Sequence, residues 1–223
     1  MRAECTLSPD AVVADIGSGT GILSELFLRN GNPVYGVEPN REMREAGERL
    51  LSGYPDFHSI DGMAEMTTLE AGGIDFVVAG QAFHWFDFEK TRLEFARILK
   101  PAGWVVLVWN MRAGAASPFG RDYEALLHTY ATGYAQVNHK RIDDTAIETF
   151  FGAGIQFRRY ENRQYFDFDG LKGRLFSSSY SPEPGDPQYD ATILALEQLF
   201  DVHQSHGQIT FDYATNIYFG RLP

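Results

Sequence analysis

The sequence predicts an α/β fold built on a doubly wound, mostly parallel sheet, and three observations lead there. Apolar runs alternate with amphipathic stretches from residue 11 to 110, a glycine-rich turn directly follows the first run, and a period of two takes over at the C-terminus. A parallel strand covered on both faces reads as a continuous apolar run, and AVVADI (residues 11–16) is one, ending in the turn GSGTG. The next stretch, TGILSELFLRNG, puts Leu23, Leu26 and Phe27 on one helical face and is closed by Gly31 and Pro33. PVYGVEPN supplies a second strand ending at Glu38, after which Asn40 caps a helix through Met43, Ala46 and Leu50. IDFVVAG (74–80) and WVVLVW (104–109) are two more strands. The helix between them is expected to turn Leu93, Ala96 and Leu99 inward, with a KPAG turn behind it.

Past residue 110 the rhythm changes, although the chain reads as a single domain overall. Residues 1–110 form the first half of the core, residues 111–150 a helical cap insertion, and residues 151–223 the remainder of the core. SSSYSPEPGDPQ (177–188) is loop by composition. From Ile209 to Phe219 apolar and polar residues alternate, and with ENRQYFDFD (161–169) this segment is expected to form a C-terminal antiparallel hairpin. The aromatic residues of the insertion and its flank (Phe119, Tyr123, Tyr130, Tyr134, Phe150, Phe151) read as core.

Composition narrows the function. The 223 residues are 44% hydrophobic and 22% charged, ordinary for a globular chain, and the net charge of −11 repels a phosphate backbone. Nucleic acid is therefore not an expected partner. Cys5 is the single cysteine, which excludes an internal disulfide and a multi-thiolate zinc site and fits a reducing compartment. With no apolar run near the roughly 18 residues of a membrane span and no signal-like N-terminus, a cytoplasmic chain with no membrane partner is expected. His203 and His206 have helical spacing without a third ligand, so no metal is expected.

The glycine turn poses the chemical question. A dinucleotide fingerprint requires a third glycine where this chain has Ile22, and no Gly-Lys-Ser/Thr follows to hold a phosphate. Asp15, two residues before Gly17, would repel a pyrophosphate and attract a cation. Glu38, 21 residues after Gly17 at the end of the second strand, stands where an acid accepts both ribose hydroxyls of an adenosine. Adenosine without phosphate, carrying a positive or amino-bearing group, describes S-adenosylmethionine.

The stretch VVADIGSGTGILSELFLRNGNPVYGVEPNREMREAG resembles the first two motifs of class I S-adenosylmethionine-dependent methyltransferases. DFVVAGQAFHWFDFEKTRLEFARILKPAGWVVLVW is similar to the fourth strand, following helix and fifth strand of the trans-aconitate methyltransferase-like, type 11 subgroup. The resemblance implies a Rossmann-like sheet of seven strands with an antiparallel C-terminal edge strand and a helical cap insertion. It implies S-adenosylmethionine as cofactor, S-adenosylhomocysteine as product and a small-molecule acceptor; the sequence leaves the oligomeric state, monomer or dimer, open.

Carried over residue by residue, the resemblance puts Gly17, Ser18, Gly19, Thr20 and Gly21 under the methionine part of the cofactor, with Asp15 fixing its amino end. Glu38, with Pro39 beside it, takes the ribose. Met43 packs on adenine; Met63 and Ala64, in DGMAE, hold the other side of the ring, with Asp61 a polar alternative. Gln81 lies beside the methionine tail, and Phe83, His84 and Trp85 open toward the acceptor, which is expected between QAFHWFD and the insertion. His84 is the candidate general base, since histidine titrates near working pH. Plainer readings stand beside these: Asp15 as a cap, Glu38 as a solvated strand end, Met43 as a core residue, and His84 with Trp85 as a packed aromatic pair. Only about ten residues precede the first strand, where proteins of this resemblance carry a segment that folds over the cofactor, so either the chain starts late or the site is more open, and weak cofactor affinity is expected.

Overall fold

A computed structural model describes residues 2–112, 114, 117–132, 134, 144–152, 154–178 and 180–222. Among these, seven strands form one mixed sheet: β1 (Val13–Ile16), β2 (Val34–Val37), β3 (Phe57–Ile60), β4 (Ile74–Gly80), β5 (Leu99–Arg112), β6 (Gln156–Phe166) and β7 (Ile209–Gly220). The order across the sheet is β3-β2-β1-β4-β5-β7-β6. β1 pairs in parallel with β2 on one side and β4 on the other, and β2 with β3 and β4 with β5 are parallel too. The antiparallel component lies at the C-terminal edge, as the sequence predicts.

The helices are α1 (Arg2–Cys5), α2 (Ile22–Leu28), α3 (Arg41–Leu50), α4 (Phe88–Ile98), α5 (Pro118–Tyr130), α6 (Asp144–Phe151), α7 (Phe168–Phe176) and α8 (Tyr189–His203). The chain divides into two compact units. The first comprises residues 1–109, 142–158 and 216–223, the second residues 110–141 and 159–215. α5 thus belongs to the second unit and α6 to the first, while residues 135–143 of the expected insertion lie outside the described residues.

In the first unit every residue of β1 is buried, and Val13, Val34, Phe76, Val78 and Val106 build a core with Phe27 and Leu28 of α2. The helix faces differ from expectation. In α2, Ser24, Phe27 and Leu28 are buried while Leu26 is exposed; in α4, Thr91, Phe95 and Ile98 turn inward while Leu93 and Ala96 face outward. Both buried sets follow helical spacing of three and four residues, but each includes a polar residue that apolar periodicity passes over. In α3 only Gly47 is buried, leaving Met43 and Leu50 exposed.

In the second unit Phe119, Tyr123, Tyr134, Leu171, Leu196 and Phe211 share a core, so the first three aromatics are core as expected. His203 is bonded to Asp122 (Nε2 to Oδ2, 2.7 Å). The expected hairpin is corrected: β6 ends at Phe166, Asp167 caps α7 by accepting from the Gly170 amide (2.8 Å), and both α7 and α8 separate β6 from β7. Asp followed by an apolar residue is an N-terminal helix signal that the preceding strand pattern obscured.

Candidate functional site

From β1 the chain winds outward to β2 and β3, then returns to β4 on the other side of β1. That reversal is a topological switch point, where the carboxyl ends of neighbouring parallel strands leave a crevice for ligands. The two segments emerging there are residues 17–21 after β1 and residues 81–87 after β4, both in the first unit.

The first segment needs its glycines. Gly17, Gly19 and Gly21 all have positive φ (69°, 56° and 86°), where side chains are disfavoured. A Cβ at Gly17 would lie 2.6 Å from the Ala82 Cβ, and one at Gly21 would overlap Leu51. At Gly19 a Cβ would meet nothing within 4 Å. The loop is thus pinned at both ends and open in the middle. Gly17 and Ser18 donate to the Val37 carbonyl (2.9 and 3.2 Å), tying the loop to the end of β2.

Glu38 joins this loop directly. Its Oε2 accepts from the Gly19 amide (2.9 Å) and its Oε1 from the Asn40 amide (2.8 Å), with only 7% of the residue exposed. Asn40 in turn caps α3, accepting from the Met43 amide (3.1 Å). The Arg44 guanidinium donates to the Glu38 carbonyl (3.0 Å) and pairs with Asp61 (3.0 Å), so Asp61 is occupied by an arginine.

Asp15 is sealed at 1% exposure. Oδ2 accepts from the Ser24 hydroxyl (2.6 Å), and Oδ1 is buried without a hydrogen-bond partner. Burial pushes its pKa up to about 6, the Ser24 bonds oppose that rise, and the Glu38 charge adds to it. The sequence placed Asp15 against the cofactor's amino end; here it lies beneath the surface, where it can act through its charge. Ser24, which the sequence reading missed, was signalled only as a polar residue on the helical face shared with Phe27 and Leu28.

Thr20 is half-buried like residues 17–19, and Pro39 is exposed. Met43 and Met63 are each about half exposed, whereas Ala64 is buried. Met63 and Met66 exchange backbone hydrogen bonds (3.2 and 3.0 Å), closing the turn that carries Ala64. The same turn is tied to the second segment, since Glu65 Oε1 accepts from the Asp87 amide (2.7 Å). Glu65 is another participant the sequence gave no sign of.

After β4, Gln81 is exposed and holds a φ of 58°, an uncommon conformation for a residue other than glycine, and its amide donates to the Val108 carbonyl (2.9 Å). Phe83, His84 and Trp85 form a single 3-10 turn. Phe83 is wholly buried, stacked on Phe88 at 4.6 Å and edge-on to Phe150 at 4.8 Å. Its expected place at the acceptor is therefore corrected: it is a core residue that anchors the turn. Trp85 is 70% exposed and packs at 4.8 Å on the half-buried His84 ring.

A glycine loop at the switch point, held by an acid at the end of β2, fits the site expected from the resemblance to class I S-adenosylmethionine-dependent methyltransferases, and comparison with known proteins supports that resemblance. Residues 14–107 match the family model described as a methyltransferase domain. An uncharacterized methyltransferase of Mycobacterium tuberculosis is 37% identical over 100 residues, covering 45% of this chain and 40% of the relative. An uncharacterized methyltransferase of Schizosaccharomyces pombe is 30% identical over 180 residues, covering 80% of this chain and 63% of the relative. The matches thus span less than two thirds of those relatives. Among solved structures, a SAM-dependent methyltransferase from Aquifex aeolicus has a TM-score of 0.55 at 13% identity, covering 97% of this chain and 85% of the other. A candidate type II methyltransferase from Anaeromyxobacter dehalogenans has a TM-score of 0.65 at 18% identity, covering 100% and 95%. These two likenesses are of fold.

Proposed function

We propose that this chain is an S-adenosylmethionine-dependent methyltransferase acting on a small molecule that offers a carboxylate, hydroxyl or amine. The observation that carries the reading is the Glu38 carboxylate, held at the switch point by the Gly19 and Asn40 amides. Each oxygen of a carboxylate has two acceptor sites, so the two amides leave capacity for the two hydroxyls of a ribose.

The charge of the site supports the same ligand. GSGTG contains no basic residue, and Asp15 and Glu38 sit beside it. Such a setting disfavours a pyrophosphate and favours a cationic sulfur compound. S-adenosylmethionine supplies an electrophilic methyl group on a positively charged sulfur. In this reading Gly17, Ser18, Gly19, Thr20 and Gly21 form the surface under its methionine part, and Asp15 contributes negative charge through the loop. Glu38, with Pro39 beside it, takes the ribose. Met43 and Met63 supply apolar faces for adenine, Ala64 the backbone beside it, and Gln81 a polar side chain near the amino-acid tail.

Methyl transfer is an in-line displacement, and orientation alone can contribute about 7 to 11 kcal/mol. Trp85 offers an exposed ring to the acceptor. A carboxylate acceptor needs no base, whereas a phenol or alcohol would give its proton to His84. The net charge of −11 and the absence, among the described residues, of a helix long and apolar enough to cross a membrane support a small-molecule partner in the cytoplasm. The test is a screen of small acids, phenols and amines with methyl-labelled S-adenosylmethionine, read by mass spectrometry. A labelled product that His84→Ala or Trp85→Ala diminishes is expected. Tight cofactor binding without transfer to any acceptor would instead mark a non-catalytic binding protein.

A further inference from the structure

The sheet ends at β6, the last strand in its order, and among the described residues no strand pairs with its outer side. An unpaired edge presents a row of main-chain donors and acceptors, which short length, proline or charged side chains commonly blunt. β6 has only the charges: QFRRYENRQYF runs for eleven residues and contains no proline. Side chains alternate along a strand, and Arg159, Glu161, Arg163 and Tyr165, on one face, are all exposed. Tyr160, on the other face, is 54% exposed.

The charges differ in what holds them. Arg163 donates to Asp212 of β7 (3.1 Å), whereas Arg159 and Glu161 have no side-chain hydrogen bond or ion pair among the described residues. They flank Tyr160, so a two-fold axis through Tyr160 and perpendicular to the sheet sets Arg159 of each copy opposite Glu161 of the other. Tyr160 then meets its own counterpart. Opposite charges facing across antiparallel strands attract, and an aromatic pair on the other face adds contact. Neighbouring registers are poorer. An axis through Glu161 sets that acid against itself and Arg159 against Arg163, and an axis through Asn162 draws on Arg163, which Asp212 already holds.

We propose that β6 is a self-pairing edge, through which two copies of this chain join their sheets in antiparallel register about Tyr160. The charge pattern selects a second copy as the occupant, because each copy supplies one half of both ion pairs. Charges of a single sign would have repelled it. The net charge of −11 on each copy opposes association, so the pairing is weak and depends on concentration. Arg159, Tyr160 and Glu161 lie within the second unit, and the inference does not rest on the methyltransferase reading.

The test is sedimentation equilibrium of the whole chain from about 1 to 200 µM, a range that spans weak association. A reversible monomer–dimer equilibrium is expected for the parent. Arg159→Glu and Glu161→Arg each place like charges at both pairs, and each should weaken the dimer by about tenfold or more. An equimolar mixture of the two variants opposes two glutamates to two arginines, and should dimerise at least as well as the parent. The double variant, with both substitutions in one chain, should also regain the dimer. Recovery in the mixture shows that both variants are folded. A parent that stays monomeric at the highest concentration, single variants that dimerise undiminished, a mixture no better than its components, or a double variant that remains monomeric would each overturn the proposal.

Discussion

Glu38 and Asp15 are two acids beside one loop, and the fold uses them differently. Glu38 keeps acceptor capacity at the crevice, so Glu38→Gln, which removes a charged acceptor, should weaken S-adenosylhomocysteine binding about ten- to hundredfold, from roughly 1.5 to 3 kcal/mol per charged hydrogen bond. Asp15 is sealed and its pKa is raised to about 6. The folded chain therefore holds that proton more tightly than the unfolded chain does. Its contribution to stability is fully present below about pH 4 and is lost as pH rises through about 6, a difference near 3 kcal/mol at neutral pH. Asp15→Asn should accordingly be more stable than the parent in urea titrations at pH 7.5, with the gap closing toward pH 4, while its cofactor affinity falls. The spacing of Asp15, Gly17 and Glu38 made all three legible in the sequence. Ser24 and Glu65 were not, because each acts through one hydrogen bond to a group distant in sequence, and no periodicity records such a bond.

At the scale of the element, the loop and the turn each divide into a structural part and an exposed part. Gly17→Ala forces a Cβ against Ala82 at positive φ and should lower stability measurably, whereas Gly19→Ala meets open space and should cost only the roughly 1 kcal/mol of an unfavourable φ. If the cofactor lies over Gly19, the added methyl group should nonetheless weaken its binding, a loss out of proportion to the change in melting temperature. The turn after β4 divides the same way. Phe83→Ala should destabilise by about 3 to 5 kcal/mol, as for other buried phenylalanines, while Trp85→Ala should leave stability within about 0.5 kcal/mol and raise the KM for the acceptor. Sequence alone could not separate Phe83 from Trp85, since both are aromatic and two residues apart on one short turn. For a related reason α2 and α4 were read with Leu26 and Leu93 inward: apolar spacing identifies a helix, but the buried face also took Ser24 and Thr91, which hydropathy alone assigns to solvent.

For the molecule as a whole, four buried parallel strands announced themselves as apolar runs, and their alternation with helices gave the winding of the sheet. β3 did not, because FHSI is short, lies at the sheet edge and is nowhere fully buried. The strand pair at the other edge was visible as β6 and β7, but the two helices between them were not, since the signals for α7 begin inside what reads as strand. The order of the strands is what brings the glycine loop and Glu38 to a switch point, and the functional account stands on that placement. Calorimetric titration of the chain and of Glu38→Gln with S-adenosylhomocysteine and with NADH tests it most directly. Binding of S-adenosylhomocysteine alone, weakened at least about tenfold by the substitution, is the predicted result; binding of NADH in preference, or S-adenosylhomocysteine affinity untouched in Glu38→Gln, would contradict it.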